Sequence, residues 1–80
     1  MNRKKILSSV HEVFVDTLDN DEVRINESTK ATDVDEWDSL THIMLVVAIE
    51  KKFNVRFNSS EIQSWNNVGE MIDCIQEKGI

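Results

Sequence analysis

The chain has 80 residues, of which 40% are hydrophobic and 30% are charged, and its formal net charge is −6. A chain of this length has room for one hydrophobic core, so we expect residues 1–80 to form a single domain. The negative charge disfavours nucleic acids and anionic membrane surfaces as partners. No segment approaches the run of about eighteen apolar residues that a membrane span needs, so membrane insertion is not expected.

The cysteine content and the first residues predict the compartment. Cys74 is the only cysteine, which excludes an intramolecular disulfide and fits a reducing environment. The basic start, MNRKKILSSV, is similar to the start of a signal peptide, but His11, Glu12 and Asp16 interrupt the apolar stretch that should follow. We therefore expect a cytoplasmic protein, and we expect it to be a monomer.

The first predicted element is an amphipathic helix from about Lys4 to Leu18, with its apolar side chains at helical spacing. No period holds between residues 19 and 38, where Asn, Asp, Ser and Thr dominate, so this segment is predicted to be a long loop. Loops of this length are uncommon in compact domains and are often functional. Three apolar side chains are expected to pin the loop to the core: Val23, Ile25 and Val34.

The second predicted helix runs from Ser39 to about Phe53, and Asp38 is suited to accept hydrogen bonds from its first-turn N–H groups. At about 100° per residue, the apolar side chains of this helix fall into two nearly opposite sectors. One sector holds Leu45, Val46, Ile49 and Phe53, and the other holds Leu40, Ile43, Met44 and Val47. Four helices in a short chain leave little protein to cover both sectors, so one sector is expected to be a docking surface.

Two further helices complete the prediction. A short third helix is predicted in SSEIQSW, capped by one of the two polar residues at positions 58 and 59. A fourth helix is predicted to open with the capping pair Asn67 and Glu70 and to end near Lys78 and Gly79. The sequence shows no alternating strand pattern. It therefore predicts an all-α fold, a small four-helix bundle of three longer helices and one short third helix, with a long loop between helices 1 and 2.

The run DVDEWDSLTHIML places Ser39 at the boundary between an acidic loop and an apolar helix. A helix N-terminus carries unpaired N–H groups and the positive end of the macrodipole, and both favour a phosphate esterified to this serine. The carboxylates before the serine oppose a phosphate, so they need another purpose. Holding a magnesium ion during phosphoryl transfer is one, because that cation prefers oxygen ligands. These carboxylates are Asp33, Asp35, Glu36 and Asp38.

The segment DSLTHIMLVVAIEKKFNVRF resembles the acyl carrier protein family, and the helical pattern of nearly the whole chain shares the resemblance. In that family the serine of Asp-Ser-Leu carries 4′-phosphopantetheine. The resemblance therefore implies that Ser39 holds this cofactor and that Asp38 is associated with magnesium while the arm is transferred. The implied protein is a single carrier domain and not an enzyme. It tethers acyl or aminoacyl groups as thioesters and presents them to other enzymes, for example in lipid or polyketide biosynthesis.

The resemblance also implies partners and the surfaces that they contact. The implied partners are a phosphopantetheinyl transferase, an acyl- or aminoacyl-activating ligase, and an acyltransferase or synthase. The residues expected to dock partners are Trp37, Leu40, Ile43, Met44, Val47 and Glu50. The residues expected in the core or the acyl pocket are Leu45, Val46, Ile49 and Phe53, with His42 near its mouth.

Several positions depart from the pattern of fatty-acid carriers. Such carriers usually have acidic side chains along the second helix, where this chain has Thr41, Met44 and Lys51, and only Glu50 keeps the charge. Trp37 stands two residues before Ser39, where a small residue is usual. These departures predict a specialised carrier that docks through apolar contact as well as charge, rather than a carrier of primary fatty acid synthesis.

The sequence has features of three other kinds of protein or site. A small hydrolase could use Ser39 with His42, but the sequence has no nucleophile-elbow glycine pattern to support it. Residues 19–30 superficially resemble a calcium loop, but Arg24 and Lys30 occupy required positions, so no calcium site is expected here and no metal is expected to be bound permanently. The main alternative is an unmodified helical interaction module that docks through Leu40, Ile43, Met44 and Val47.

Overall fold

The computed structural model describes residues 2–78 and consists of helices joined by loops. The helices are α1 (Arg3–Leu18), α2 (Ser39–Phe53), the short α3 (Ser59–Ser64) and α4 (Val68–Glu77), and a single 3₁₀ turn spans Ala31–Asp33. Between residues 2 and 78 there is no strand. The predicted all-α fold with three longer helices, one short third helix and a long first loop is confirmed. Gly79, which was predicted to help end α4, lies outside the described residues.

The side chain immediately before each helix fixes where that helix begins. Asn2 accepts from Lys5 N at the start of α1, and Asn58 accepts from Glu61 N at the start of α3. At the start of α4, Asn67 accepts from Glu70 N at 2.9 Å. The predicted capping pair of α4 is only half present. The Glu70 carboxylate accepts from the backbone N–H of residue 66 instead of that of Asn67. The helix boundaries therefore follow local capping chemistry that is readable from the sequence.

The hydrophobic core is built mainly by α1, α2 and α4. One sector of α2 faces it, and Leu45, Val46, Ile49 and Phe53 are each at most 7% exposed. α1 and α4 contribute the other helical side chains of the core. These are Ile6, Val10, Val13 and Phe14 from α1, and Val68, Met71, Ile72 and Ile75 from α4. None of the helices within residues 2–78 is long and apolar enough to cross a membrane.

The long loop between α1 and α2 is fixed to the rest of the fold. Val23 and Val34 are buried and Ile25 packs against the core, as the sequence predicts. Two loop carbonyls also accept hydrogen bonds from the first residues of α4, with Val68 N to the carbonyl of residue 29 at 2.9 Å and Gly69 N to that of residue 27 at 2.8 Å. A Cβ at position 69 would lie 2.9 Å from the latter carbonyl oxygen, so the close approach requires glycine.

A charged cluster reinforces the attachment of the loop. The guanidinium of Arg3, on the first turn of α1, contacts the carboxylates of Glu27 in the loop and Asp73 in α4. It also donates to Gln76 Oε1 at 2.8 Å. The hydrogen bond from Arg3 lowers the pKa of the Glu27 carboxyl. The loop is therefore held to the ends of two helices, and this attachment sets the position of the segment that leads into α2.

A second cluster packs Cys74 of α4 against α3. The thiol donates to Glu61 Oε2 at 3.2 Å, and Lys78 Nζ lies 3.0 Å from the other oxygen of that carboxylate. Burial, followed by the hydrogen bond to Glu61, raises the pKa of the Cys74 thiol to about 11. The backbone N–H of Asn58 and then Lys78 lower the pKa of Glu61 to about 2. The thiol is therefore protonated and the carboxyl ionised at neutral pH.

Candidate functional site

Ser39 is the first residue of α2, and its side chain is exposed. It is not the helix cap, because the preceding residue performs that function. Asp38 Oδ1 accepts from Leu40 N at 3.0 Å and from Thr41 N at 2.9 Å. Within residues 2–78, the Ser39 hydroxyl makes no hydrogen bond, so its oxygen is available for a covalent attachment.

The predicted capping role of Asp38 is confirmed, and it limits what the helix start can offer a phosphate. Asp38 occupies the backbone donors of both Leu40 and Thr41. A phosphate on Ser39 would therefore experience the positive end of the helix macrodipole without those two hydrogen bonds. Asp38, the acidic residue next to Ser39, therefore stabilises the start of α2 by pairing N–H groups that would otherwise lack a partner.

Asp38 combines this capping role with a free oxygen. The backbone N–H of Thr41, and then that of Leu40, lower the pKa of the Asp38 carboxyl, which is therefore ionised at neutral pH. Thr41 Oγ1 in turn accepts from Asp38 N at 2.8 Å, which completes a reciprocal cap. All the hydrogen bonds to the carboxylate use Oδ1, and Oδ2 has no partner among residues 2–78. Oδ2 can therefore face a cation while the cap stays in place.

The acidic loop does not assemble a metal site by itself. Among residues 2–78, no three His, Cys, Asp or Glu side chains are grouped so that they could hold a metal ion. Asp33 accepts from the backbone N–H of Lys30 at 2.9 Å, and Glu36 accepts from Asn20 at 3.0 Å. A magnesium ion at Asp38 would therefore need its other ligands from a bound substrate, a partner or water.

Trp37 is in the core rather than on a docking surface, so the prediction of partner contact for this residue is wrong. Its side chain is 7% exposed and packs edge-on against Phe14, with ring centroids 5.0 Å apart. Its indole Nε1 donates to His42 Nδ1 at 3.0 Å. A tryptophan just before an exposed helix start can be buried here because its single polar group has a partner.

His42 bridges α2 and α3. Its Nδ1 accepts from Trp37, so its Nε2 carries the hydrogen and lies 3.3 Å from the carbonyl oxygen of Ile62. Both ring nitrogens are therefore engaged away from Ser39. A Ser–His hydrolase pair would need one of them to accept the serine proton, so this arrangement argues against that interpretation.

A cavity of about 500 Å³ opens beside Ser39, between the start of α2 and α3. Its apolar lining comes from Trp37, His42 and Ile43 on one side and from Ile62 and Trp65 on the other. Of the residues predicted to line an acyl pocket, only His42 borders this cavity. The other four are packed in the core: Leu45, Val46, Ile49 and Phe53.

The α3 side of the cavity was missed from the sequence, although a signal was present. Ile62 and Trp65 are three residues apart in SSEIQSW, which is the spacing of side chains on one face of a helix. Trp65 also packs edge-on against Phe57, with ring centroids 5.0 Å apart. The short third helix therefore supplies one wall of the cavity.

The second apolar sector of α2 is exposed to solvent, and we call it the exposed stripe. Its members are Leu40, Ile43, Met44 and Val47, which are 72%, 53%, 48% and 44% exposed. Glu50, predicted to dock partners with them, is half-buried, and its Oε2 accepts from Phe57 N at 2.9 Å. One oxygen of the Glu50 carboxylate thus holds the segment that links α2 to α3.

Comparison with known proteins gives a consistent result. The family model described as "Phosphopantetheine attachment site" matches residues 8–75. An acyl carrier protein of Thermosynechococcus vestitus is 32% identical over 98% of this chain and 96% of its own length. An acyl carrier protein of Thermotoga maritima is 29% identical over 96% of this chain and 95% of its own. The solution structure of a holo acyl carrier protein from Geobacter metallireducens matches with a TM-score of 0.83 and 33% identity, covering 90% of this chain and 83% of that one.

Proposed function

We propose a specific role for Ser39 from one premise, which is that this chain belongs to the acyl carrier protein family. A family model for phosphopantetheine attachment matches most of the chain, and carrier proteins match it over almost its whole length. The chain is accordingly a carrier of acyl or aminoacyl groups on a covalent 4′-phosphopantetheine, and not an enzyme. We propose that Ser39 is the residue to which this arm is attached.

The observation that supports this assignment is the free hydroxyl at the start of α2. Asp38 takes over the capping that a serine at a helix start often provides, which leaves the Ser39 oxygen exposed and unbonded within residues 2–78. The arm, when attached, supplies a terminal thiol that holds the acyl group as a thioester. The protein contributes a fixed attachment point, because the serine backbone is held in the first turn of a capped helix.

Asp38 would assist the attachment step. Its pKa is lowered, so its carboxylate is charged at neutral pH, and its Oδ2 is free beside the serine. We propose that this oxygen contributes to a magnesium site that is completed by the transferase and its nucleotide substrate. The cap through Oδ1 would persist throughout, since it uses the other oxygen.

The cavity beside Ser39 is suited to shelter the part of the arm or of the acyl group that folds back onto the protein. Its lining includes the apolar side chains of Ile43, Ile62 and Trp65 together with several polar residues. We propose this cavity as the acyl pocket in place of the core residues expected from the sequence. Short apolar groups would gain roughly 25 cal/mol for each Å² that the cavity removes from water.

Membership of the family implies transferases and synthases as partners. More specifically, we propose a phosphopantetheinyl transferase, an acyl- or aminoacyl-activating ligase and an acyltransferase or synthase, which dock on the exposed stripe. We also propose that residues 1–80 form one carrier domain that works as a monomer in the cytoplasm, where the arm thiol stays reduced. The departures from the fatty-acid pattern, Met44 and Lys51 above all, support a specialised pathway.

The attachment is tested by intact mass. The protein is incubated with coenzyme A, magnesium and a broad-specificity phosphopantetheinyl transferase, and a gain of one phosphopantetheine is expected. Ser39→Ala should abolish the gain. Ser59→Ala is the matched control, because Ser59 is likewise the first residue of a helix with a capping side chain before it, and this variant should gain the full mass.

Two results would contradict the assignment. If Ser39→Ala still gains the mass, the arm is attached elsewhere. If the folded wild-type protein gains no mass, the carrier function itself fails, and the exposed stripe would then belong to an unmodified interaction module. Circular dichroism of each variant shows whether the helical fold is intact.

A further inference from the structure

The exposed stripe of α2 ends at a pair of cations. Lys51 lies four residues after Val47 and is therefore on the same side of the helix. Arg56 follows the helix, and both cations line a shallow cavity of about 390 Å³ together with Val47. Both side chains are exposed, and neither forms an ion pair within residues 2–78.

The neighbouring lysine shows that this placement is specific to Lys51. Lys52 points toward α1, where its Nζ lies 3.0 Å from a carboxylate oxygen of Glu12. Glu50 also borders the cavity, but its Oε2 is bonded to the backbone of Phe57. The C-terminal end of the stripe therefore keeps a net positive charge.

The opposite end of the stripe has the opposite sign. Asp35, Glu36 and Asp38 are exposed next to Ser39, before Leu40 begins the stripe. At 1.5 Å per residue, Lys51 lies about 18 Å along the helix from Ser39. The surface thus has an acidic end, an apolar middle and a basic end. A complementary partner needs a basic region, an apolar region and an acidic region in the same order.

We propose that Lys51 and Arg56 form a cationic recognition point for a carboxylate-bearing region of the enzyme that loads the acyl group. The apolar middle would occupy a groove in that enzyme, and the two cations would fix the direction in which α2 lies there. This inference rests on the proposed carrier function. The partner surface would carry an acidic side chain about 18 Å from the point where the arm enters the active site.

A second copy of this chain is the competing occupant, because an antiparallel pair of stripes would also match acid with base. The four apolar side chains expose only on the order of a few hundred Å². A stable interface buries about 800 Å² on each partner. The exposed stripe therefore fits a transient encounter with an enzyme, which the arm itself reinforces by entering the active site.

The test measures loading of the holo protein. The probe is the enzyme that acylates the purified holo protein, isolated from an extract of the source cells by following the acyl mass increment. The variant Lys51→Gln/Arg56→Gln should raise KM by about fivefold and leave kcat unchanged, because exposed ion pairs contribute modestly and act on encounter. Lys4→Gln/Lys5→Gln is the control, since it removes the same net charge from exposed positions on α1.

The salt dependence gives a second readout. Adding salt to about 0.5 M should raise the wild-type KM toward that of the Lys51→Gln/Arg56→Gln variant, because exposed charges are screened at that ionic strength. An unchanged or lower KM for that variant would overturn the proposal. So would an equal rise in the control, which would show a response to net charge alone.

The competing outcomes are distinguishable from failure of the carrier function. A wild-type dimer in sedimentation velocity that the Lys51→Gln/Arg56→Gln variant abolishes would assign the stripe to a second copy and overturn the proposal. Absence of any phosphopantetheine gain or of any acylation would contradict the proposed function instead. If the wild-type protein is loaded normally and its KM equals that of the Lys51→Gln/Arg56→Gln variant, only the proposed recognition point is contradicted.

Discussion

The two apolar sectors of α2 have similar composition and opposite environments. Ile49 on one sector is fully buried, whereas Met44 on the other is 48% exposed. Both sectors are made of apolar side chains on the same helix, and both would gain by leaving water. The difference lies in what the rest of the chain can cover. α1 and α4 cover the inner sector, and the chain supplies nothing to cover the outer one within residues 2–78.

The comparison shows that hydrophobicity alone does not predict burial in a small domain. An exposed apolar stripe next to the proposed attachment residue fits a surface for transient contacts with other proteins, which would bury it only while they last. The two sectors should therefore respond to mutation in different experiments, one in unfolding and the other in loading.

The largest expected effect is on stability, from truncation of the buried sector. Ile49→Ala should lower the free energy of unfolding by about 2–5 kcal/mol, because it removes fully buried methylenes and leaves a cavity. Met44→Ala, on the same helix, should change it by less than about 0.5 kcal/mol. Urea unfolding followed by circular dichroism measures both. Equal losses would show that the two sectors are packed alike.

A smaller effect is expected where the buried and exposed parts of the molecule meet, before α2. Trp37→Phe keeps the apolar packing on Phe14 but removes the donor to His42 Nδ1, which should lower stability by about 1 kcal/mol. Nitrogen chemical shifts of the His42 ring should change as Nδ1 loses its donor. The control is Trp65→Phe, which leaves that hydrogen bond in place. Unchanged ring shifts in Trp37→Phe would contradict the bridge.

Acid should weaken the starts of two helices through their carboxylates, Asp38 before α2 and Glu61 in the first turn of α3. The pKa values of Asp38 and Glu61 are lowered in the folded state, to about 2 for Glu61. Their stabilisation is therefore complete above their ordinary pKa near 4 and is lost as pH falls below it through the folded-state pKa of each group. The melting temperature should fall over this window. Glu61→Gln should flatten part of the fall. If the melting temperature of the variant falls as steeply with pH as that of the wild type, this carboxylate contributes nothing.

The smallest effect on stability is expected for a charge placed on the exposed stripe. Met44→Glu should change the free energy of unfolding by less than about 0.5 kcal/mol, because the side chain can keep its carboxylate in water. It should still alter the rate at which a partner ligase loads the holo protein. Strong destabilisation would instead show that Met44 is buried in the folded protein, since a buried carboxylate is costly.

The features that could be predicted from the sequence are those that local chemistry decides. Asp38 followed by an apolar period was sufficient to place the start of α2 at Ser39, because capping depends on adjacent residues. The burial of Trp37 could not be predicted in the same way. It depends on Phe14 and His42, and the contact with Phe14 spans the long loop.

The same limit applies to the cavity and to the loop. The wall formed by Ile62 and Trp65 depends on how α3 lies against α2, which no periodicity within one helix reports. The hydrogen bonds from Gly69 and Val68 to loop carbonyls are also long-range. The resemblance to the family implied an acyl pocket among core residues, and the cavity that we propose for that role lies instead beside Ser39.

The buried thiol of α4 bears on whether the acyl group stays on the arm. A carrier that holds a thioester must avoid passing its acyl group to a cysteine of its own. Cys74 has a pKa of about 11 and donates its hydrogen to Glu61, so almost none of it is thiolate at neutral pH. The chain thus contains no competing sulfur nucleophile for the load on its arm, and a thiol-reactive dye at neutral pH should label the arm in preference to the polypeptide.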